Sequence, residues 1–449
     1  MYEVIVDKDE VEDEDEDEED DDDDDDEESV YDEHEFYDEY GRVIVPENIR
    51  SYRSSEFQVF NVNNSAGMAN NWDELRGELL MEIAKRITWV DDYAAFSGVC
   101  TSWQSAAAAA CLHPIPLLML APRKDSHVLD FYHLSDRIVK QISLSEDLTG
   151  KRCYSSKGCL ITIGHDLNVN LMHPFTNLQH KFPNIKTIDK WDKFVDRNSY
   201  DSLIIKCALS SNPLLESDYI LMVIFGAGHE LVYARPGDET WTLLSDDYYC
   251  DITYYRGQFY AVNCDGQIMA CNVGGGDNPS QPEQVAEFPS EILENNTPDE
   301  LYIVESADAL LIISRYISTD ELSNESIIYD EESEKTCSYR SYEFHVFNVD
   351  LNTKTCTEIK DLGDRIIFLG HNSSFSLAHP PNCKPNSIYF TDDYKVFYCL
   401  EEGGGKDMGI YGLQDESITP HYSDKSLDLV TPPMWIEQSF KVECNSSYF

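Results

Sequence analysis

The sequence predicts a small all-α module followed by a large, closed all-β domain. Three observations carry this. Residues 71–111 place apolar side chains at helical spacing and close on an alanine run. Beyond about residue 114 the chain breaks into short apolar strands divided by turn signals, with no further long helical stretch. Residues 12–28 are seventeen consecutive acidic residues, which cannot bury anything and are expected to be disordered.

In the helical module, Leu79, Leu80, Ile83 and Ile87 lie at i, i+1, i+4 and i+8, one apolar face of an amphipathic helix. Glu78, Glu82, Lys85 and Arg86 fall largely on the other side, and Glu82 is spaced for pairing with Lys85 or Arg86. Asp91 is the expected N-cap of a second helix carrying Phe96, Val99 and Cys100. Trp103 then leads into Ala106 to Ala110, a strong helix former. Three short helices cannot bury all of these groups among themselves. Leu75, Leu79, Val99 and Trp103 are therefore expected either to form a patch for a partner's helices or to pack on the domain that follows.

The strands expected after the module are Ile115–Leu120, Leu203–Ala208, Tyr219–Phe225, Glu230–Ala234, Gln258–Val262, Gln267–Cys271, Leu301–Val304, Leu310–Ser314, Arg365–Leu369, Ile388–Phe390 and Lys395–Tyr398. Turn signals separate them, among them RPGDE from Arg235, NCDGQ from Asn263 and TDD from Thr391. Arg235 to Trp241 reads as a tight turn with Trp241 as core filling, and Asp265-Gly266 suits a hairpin turn with positive φ. A sandwich is too small for such a region. A propeller with four-stranded blades of roughly 40–50 residues would have six or seven blades. The expected organisation is an acidic arm over 1–66, the helical module over 71–111, the propeller over 114–436 and a tail over 437–449.

Charge narrows the range of partners. The net charge is −52, yet residues 1–40 hold 26 acidic residues and one lysine, so the remainder is acidic to an ordinary degree. No basic patch invites nucleic acid or an anionic membrane, and neither is expected as a partner. The longest apolar stretch, Tyr219 to Ala227, falls far short of the ~20 residues of a membrane helix. The N-terminus is acidic, unlike a secretory or transit signal. Thirteen cysteines without a C-x-x-C pair fit free thiols in a reducing compartment, the nucleus and/or cytoplasm.

A search for chemistry finds no nucleotide-binding glycine motif, no zinc-protease motif and no nucleophile elbow. Gly274–Gly276 and Gly403–Gly405 read as flexible loops. His229-Glu230 has no His three residues on, and His165 with Asp166 and His371 near Asp364 read as turn-satisfying residues. No catalytic residue, cofactor or metal site is expected, although propellers can hold enzymes.

Two sets of motifs resemble a known family. Trp72-x-x-Leu75, Glu78-Leu79-Leu80 and Phe96-x-x-Val99-Cys100-x-x-Trp103 resemble an F-box. CYSSKGCL from Cys153, MHPFTN from Met172, YARPGDETWT from Tyr233 and YYRGQFYAVNCDGQI from Tyr254 are similar to the plant F-box proteins with a KIB-type β-propeller. So are LGDRIIFLGHNSSFSL from Leu362, CKPNSIYFTDD from Cys383 and TPPMWI from Thr431. The resemblance spans roughly residues 71–436. It implies a substrate-recognition adaptor of an SCF-type ubiquitin ligase, doing no bond chemistry itself. Leu75, Leu79, Leu80, Ile83, Ile87, Val99, Cys100 and Trp103 would bind the Skp-type linker, and through it cullin. The propeller would bind a target protein, and the KIB type also allows a kinase of the glycogen-synthase-kinase class. Two departures stand out. F-boxes usually carry Leu-Pro where this chain has Leu75-Arg76, which predicts a looser helix start and one apolar contact fewer with the linker. Cys159 stands where the family often has Trp, which predicts repacking of a core strand. The alternative is an interaction scaffold with a degenerate F-box that no longer engages a ligase.

One repeat is unexplained by either reading. SYRSSEFQVFNVN (residues 51–63) and SYRSYEFHVFNVD (residues 338–350) are identical at ten of thirteen positions. Each alternates apolar and polar residues and follows an acidic loop, a strand signature. Residues 1–63 thus read as a detached duplicate of a strand–acidic loop–strand unit: a partial duplication or gene-model error, or else a strand that docks on an exposed sheet edge. Deleting residues 1–65 is expected to leave the unfolding midpoint and partner binding unchanged. A large loss of either, measured by denaturation and pull-down, would show that the copy is part of the working protein.

Overall fold

The computed structural model describes residues 75–439 apart from 111–114, 124–125, 145–147, 177, 190, 192–199, 274–280, 320–338, 379–381 and 400–401. The acidic arm, the first copy of the repeat, Gly274–Gly276 and residues 440–449 of the tail lie outside the described residues.

Three helices come first: α1 (Gly77–Ala84), α2 (Val90–Ser97) and α3 (Thr101–Ala110). All the main sheets follow. The first joins Met434–Ile436, Leu117–Met119, Val128–His133 and Ile138–Ser143. The second runs Arg152–Ser156, Cys159–Ile163, Val169–Met172, Gln179–Lys181, and the third Ile204–Leu209, Leu221–Phe225, Glu230–Ala234, Thr242–Ser245. The fourth has eight strands. Tyr249–Tyr255, Gln258–Asn263, Gln267–Cys271 and Glu283–Glu287 form one antiparallel run, and Glu300–Ser306, Ala309–Thr319, Tyr339–Asp350 and Thr355–Ile359 form another. The fifth holds Phe375–Ala378, Arg365–Leu369, Ser387–Phe390, Gly409–Gly412 and Ile418–Thr419.

The mostly-β propeller is therefore as expected in class but not in count. Six or seven separate blades were expected, whereas the described strands form five hydrogen-bonded sheets. The reason is local. The outermost strands of the two runs in the fourth sheet meet side by side through one parallel pair, Glu287 with Thr355, and merge into one sheet. The fifth sheet also departs from a plain antiparallel meander, because Arg365–Leu369 and Ser387–Phe390 run parallel.

Closure is made by the two ends of the β region. Leu117, Leu118 and Met119 pair antiparallel with Ile436, Trp435 and Met434, all six fully buried. Successive sheets then pack face to face. Tyr154, Ile161 and Leu171 of the second meet Val223 and Val232 of the third, and Ile366 and Phe368 of the fifth meet Leu118 and Trp435 of the first. Cys159 sits in the former core with no exposed surface, in the same cluster as Tyr154, Ile161 and Leu171. Trp241 fills the same core, its indole N–H donating to the Pro183 carbonyl at 2.8 Å. Gly266 takes the expected positive φ of 78°, and a Cβ there would meet Leu293 at 2.8 Å.

Other expectations are corrected. Lys395–Tyr398 forms the short helix α5 rather than a strand, following α4 (Ser290–Asn295). Tyr394 and Phe397 stack at 5.2 Å across that turn, a spacing a helix supplies and a strand does not. Asp91 is not the cap of α2. The helix begins at Val90, and the cap position is Trp89, whose side chain makes no cap bond. Gly403–Gly405 is a packed segment rather than a flexible loop. Gly404 bridges to Asp428, and Gly403 and Gly405 adopt φ of 118° and 124° with neighbouring backbone where a Cβ would lie. His371 pairs with Arg152 and Tyr398 instead of Asp364.

The second copy of the repeat is the strand Tyr339–Asp350, an interior strand paired on both sides. It brings Ser341 to a buried charge cluster centred on Arg315. Arg315, fully buried, donates to Ser341 Oγ at 2.6 Å, Asp393 at 2.6 Å, Tyr302 at 3.0 Å and Asp407 at 2.9 Å. Asp392 beside it accepts from the amides of Gly405 and Lys406 and from Tyr339, which is why the glycine segment is held close. Burial pushes the Asp392 carboxyl up to about 6. Replacing Arg315 with Met would leave Asp393 and Asp407 buried without their cation. We expect a loss of about 3–5 kcal/mol in urea unfolding, and an unchanged midpoint would show that the cluster is not structural.

Candidate interaction surface

The helical module builds its core from small residues. Ala106, Ala107 and Ala110 on α3 lie at i, i+1 and i+4 and are buried with Leu80 and Ala84 of α1 and Tyr93 and Phe96 of α2. Alanine at these positions lets the three helix backbones approach closely. The Tyr93 hydroxyl donates to the Ala107 carbonyl, and Phe96 packs on Trp103 at 4.6 Å between ring centroids.

The single apolar face expected on α1 is in fact two. Adjacent helical residues point about 100° apart, so Leu79 and Leu80 cannot share one contact. Leu80 is fully buried with Ala84, whereas Leu79 and Ile83, one turn apart, are 52% and 40% exposed. Val99, in the link between α2 and α3, is 53% exposed. Of the residues singled out for partner binding, Leu80 belongs to the module's own core and offers no surface. Leu75, Ile87, Cys100 and Trp103 are half-buried, with Leu75, Ile87 and Trp103 packed against that core. Leu79, Ile83 and Val99 remain as exposed apolar side chains.

Sequence reasoning missed the residues that seat the module on the first sheet. Trp89 is 7% exposed and packs with Leu117, Met119 and Phe131. Its ring stacks on His133 at 4.7 Å and lies under the Lys140 ammonium at 4.8 Å. Thr88 donates to Asp136 at 3.1 Å. Gln438, from the segment read as a tail, donates to the Thr88 carbonyl at 3.1 Å and the Ile115 carbonyl at 2.6 Å. A helix-linking Trp outside the apolar periodicity was the available signal, but its contacts come from residues 28 or more positions away. The link resists rotation because it combines a buried aromatic ring with backbone carbonyls held by one amide.

Arg76 precedes α1 with φ −61° and ψ 137°, and its carbonyl receives the amides of Leu79 and Leu80 at 2.9 and 3.1 Å. That φ is the value a proline ring imposes. The departure at this position therefore leaves the backbone in a proline-like path without the ring. Among the described residues, no metal-ligating cluster of three or more groups occurs and no helix is long and apolar enough to cross a membrane.

Comparison with known proteins gives one family match and several relatives. The KIB1-4 beta-propeller family model matches residues 131–412. F-box protein SKIP23 of Arabidopsis thaliana is 24% identical over 414 residues, spanning 83% of this chain and 97% of its own. The putative F-box protein At5g55150 of the same plant is 22% identical, with 83% and 97% covered, and F-box protein At2g17036 is 23% identical, with 82% and 95% covered. A span of that size exceeds everything from residue 131 to the C-terminus, so these matches include chain before the propeller.

Arg76→Pro is expected to raise stability by about 0.4–1 kcal/mol, through a less flexible unfolded chain at a site whose backbone already fits proline. Urea denaturation measures this, and a loss of stability would show that the Arg76 amide or side chain is needed.

Proposed function

This chain belongs to the KIB1-4 beta-propeller family, and on that premise we propose that it is the substrate-recognition adaptor of an SCF-type cullin–RING ubiquitin ligase. In this reading the helices over 71–111 are an F-box that binds the Skp-type linker, and through it cullin. The propeller binds the target protein, for which a kinase is one candidate, and the complex works in the nucleus and/or cytoplasm. The observation that carries the proposal is the exposed apolar set Leu79, Ile83 and Val99 on a module whose own core is already complete. Apolar side chains left exposed on a three-helix module whose core is filled are available for a partner to cover. The relatives named F-box proteins, whose matches extend ahead of the propeller, point the same way.

The chemistry of such an adaptor is proximity. A target held by the propeller and a conjugating enzyme held through the linker meet at high effective concentration, which needs a rigid path between the two sites. Trp89, Thr88 and Gln438 supply such a path in this chain, since they join the helices to the sheet that closes the ring. The adaptor carries no catalytic residue, cofactor or metal of its own in this reading. The alternative, a scaffold that no longer engages a ligase, draws on Arg76 alone.

Pull-down with a recombinant Skp-type linker separates the two. Wild-type protein is expected to bind, and a Leu79→Ser, Val99→Asp double variant is expected to bind at least about tenfold more weakly with an unchanged melting temperature. A folded wild-type chain that fails to bind would refute the adaptor reading.

A further inference from the structure

The exposed end of the buried charge cluster opens into a cavity of about 430 Å³. It is lined by the first residues of the strands Ile204–Leu209 and Glu300–Ser306, by Cys250, and by the segment Asp393 to Val396. Both signs of charge face it, so its preference depends on which groups are already satisfied.

The cations are satisfied. Lys206 donates to the Gly370 carbonyl and lies 3.9 Å from both Asp251 and Asp393. Lys395 donates to Asp201 at 2.7 Å. Arg152 donates to Tyr154, to the Val430 carbonyl and to His371. Two of the acids are satisfied as well: Asp393 holds Arg315, and Asp299 accepts from the Ile317 amide at 2.7 Å and the Tyr394 hydroxyl at 3.3 Å. Glu300 differs. Its carboxyl lines the cavity with no hydrogen bond or ion pair among the described residues. The unmet lining charge is thus an acid.

The rim adds the second element of a cation site. Tyr248, 43% exposed, stacks on His229 at 4.0 Å and accepts or donates at its Nε2, while Tyr394 also lines the cavity together with Val396, which is 68% exposed. Aromatic faces beside a carboxylate favour a desolvated ammonium or guanidinium. An anionic ligand would have to displace an existing carboxylate partner of Lys206 or Lys395, and would face Glu300, Asp299 and Asp393.

We propose that this cavity is the target-reading pocket of the propeller and takes one basic side chain, lysine or arginine, of a partner protein, with Glu300 as its counter-ion and Tyr248 and Tyr394 at its rim. The identity of that partner as a ligase target rests on the adaptor reading, whereas the pocket chemistry does not. In the empty pocket, burial and the Asp393 carboxylate push the Glu300 carboxyl up to about 8, Asp299 adding to this and Arg315 and Lys206 opposing it. Tyr248, Cys250, Tyr302 and Tyr394 also face Glu300 and stay neutral, their own titrations raised in the first place by burial. A bound cation favours the ionised carboxyl, so binding near pH 7 expels a proton. Affinity should then rise with pH, by up to about tenfold per unit, and level off above about pH 8.

The test is isothermal titration of the full chain with n-butylguanidinium, in two buffers of different ionisation enthalpy, with butyrate as the opposite charge. Wild-type protein should bind the cation, release close to one proton and ignore butyrate. Glu300→Gln should weaken binding at least about tenfold and abolish the proton release, while its acidic arm is unchanged and controls for non-specific attraction. Tyr248→Ala should weaken binding and keep the proton release. No cation binding, preferential butyrate binding, or a natively melting Glu300→Gln variant with unchanged affinity overturns the proposal. If Glu300→Gln melts abnormally, unchanged affinity in Tyr248→Ala overturns it. The linker subunit is absent from the assay, so this outcome is independent of ligase assembly.

Discussion

The pairing of Met434–Ile436 with Leu117–Met119 is the constraint on which the rest of this structure depends. A ring of sheets has no free inner edge only when its first and last strands share a sheet. Here that sheet is made from residues more than three hundred positions apart. Trp435 is fully buried against Phe368 and His421, so the same strand that closes the ring also packs the first sheet on the fifth. Gln438, two residues past the closing strand, holds the helical module. Closure, inter-sheet packing and orientation of the helices are thus carried by about five consecutive residues at the end of the β region.

The centre of the molecule is organised by charge rather than by apolar packing alone. Arg315 spends its guanidinium on two aspartates, a serine and a tyrosine drawn from two separate strands, the Thr391–Asp393 segment and the bend ahead of Gly409–Gly412. A planar donor with several fixed directions can join that many acceptors, where a lysine could not. Buried ion pairs add little net stability but penalise any arrangement that leaves one member alone. The cluster therefore specifies how the fourth and fifth sheets meet. At its open end the same surplus of carboxylates leaves Glu300 without a hydrogen bond or ion pair among the described residues, and a structural device becomes a surface with a chemical preference.

Local chemistry was legible where it was self-contained. The strands Glu230–Ala234, Gln267–Cys271 and Arg365–Leu369 have the bounds read from their apolar runs and flanking turns, and Gly266 and Trp241 play the roles their motifs suggest. Reading failed where a distant contact outweighed the local pattern. Lys395–Tyr398 reads as a short apolar strand but forms α5, in which Tyr394 and Phe397 stack across one turn. Gly403–Gly405 has the composition of a linker but is pinned by Asp392 and Asp428. Trp89 has no apolar periodicity, and its role depends on His133 and Lys140.

The amino-acid sequence alone determined the class of the helical module and of the strands with self-contained apolar runs, because helical and strand periodicities, turn glycines and charge runs act over fewer than about ten residues. It also determined which apolar residues compete for burial in the helical module. Only the tertiary structure decided the competition, burying Leu80 and leaving Leu79, because the alanine face of α3 covers one side of α1. It likewise decided that two antiparallel runs merge through Glu287 and Thr355, and that, among the described residues, Glu300 is the acid of the cavity left without a hydrogen bond or ion pair. Pairing, closure and the distribution of counter-charges are properties of residues far apart in sequence, and no local pattern encodes them.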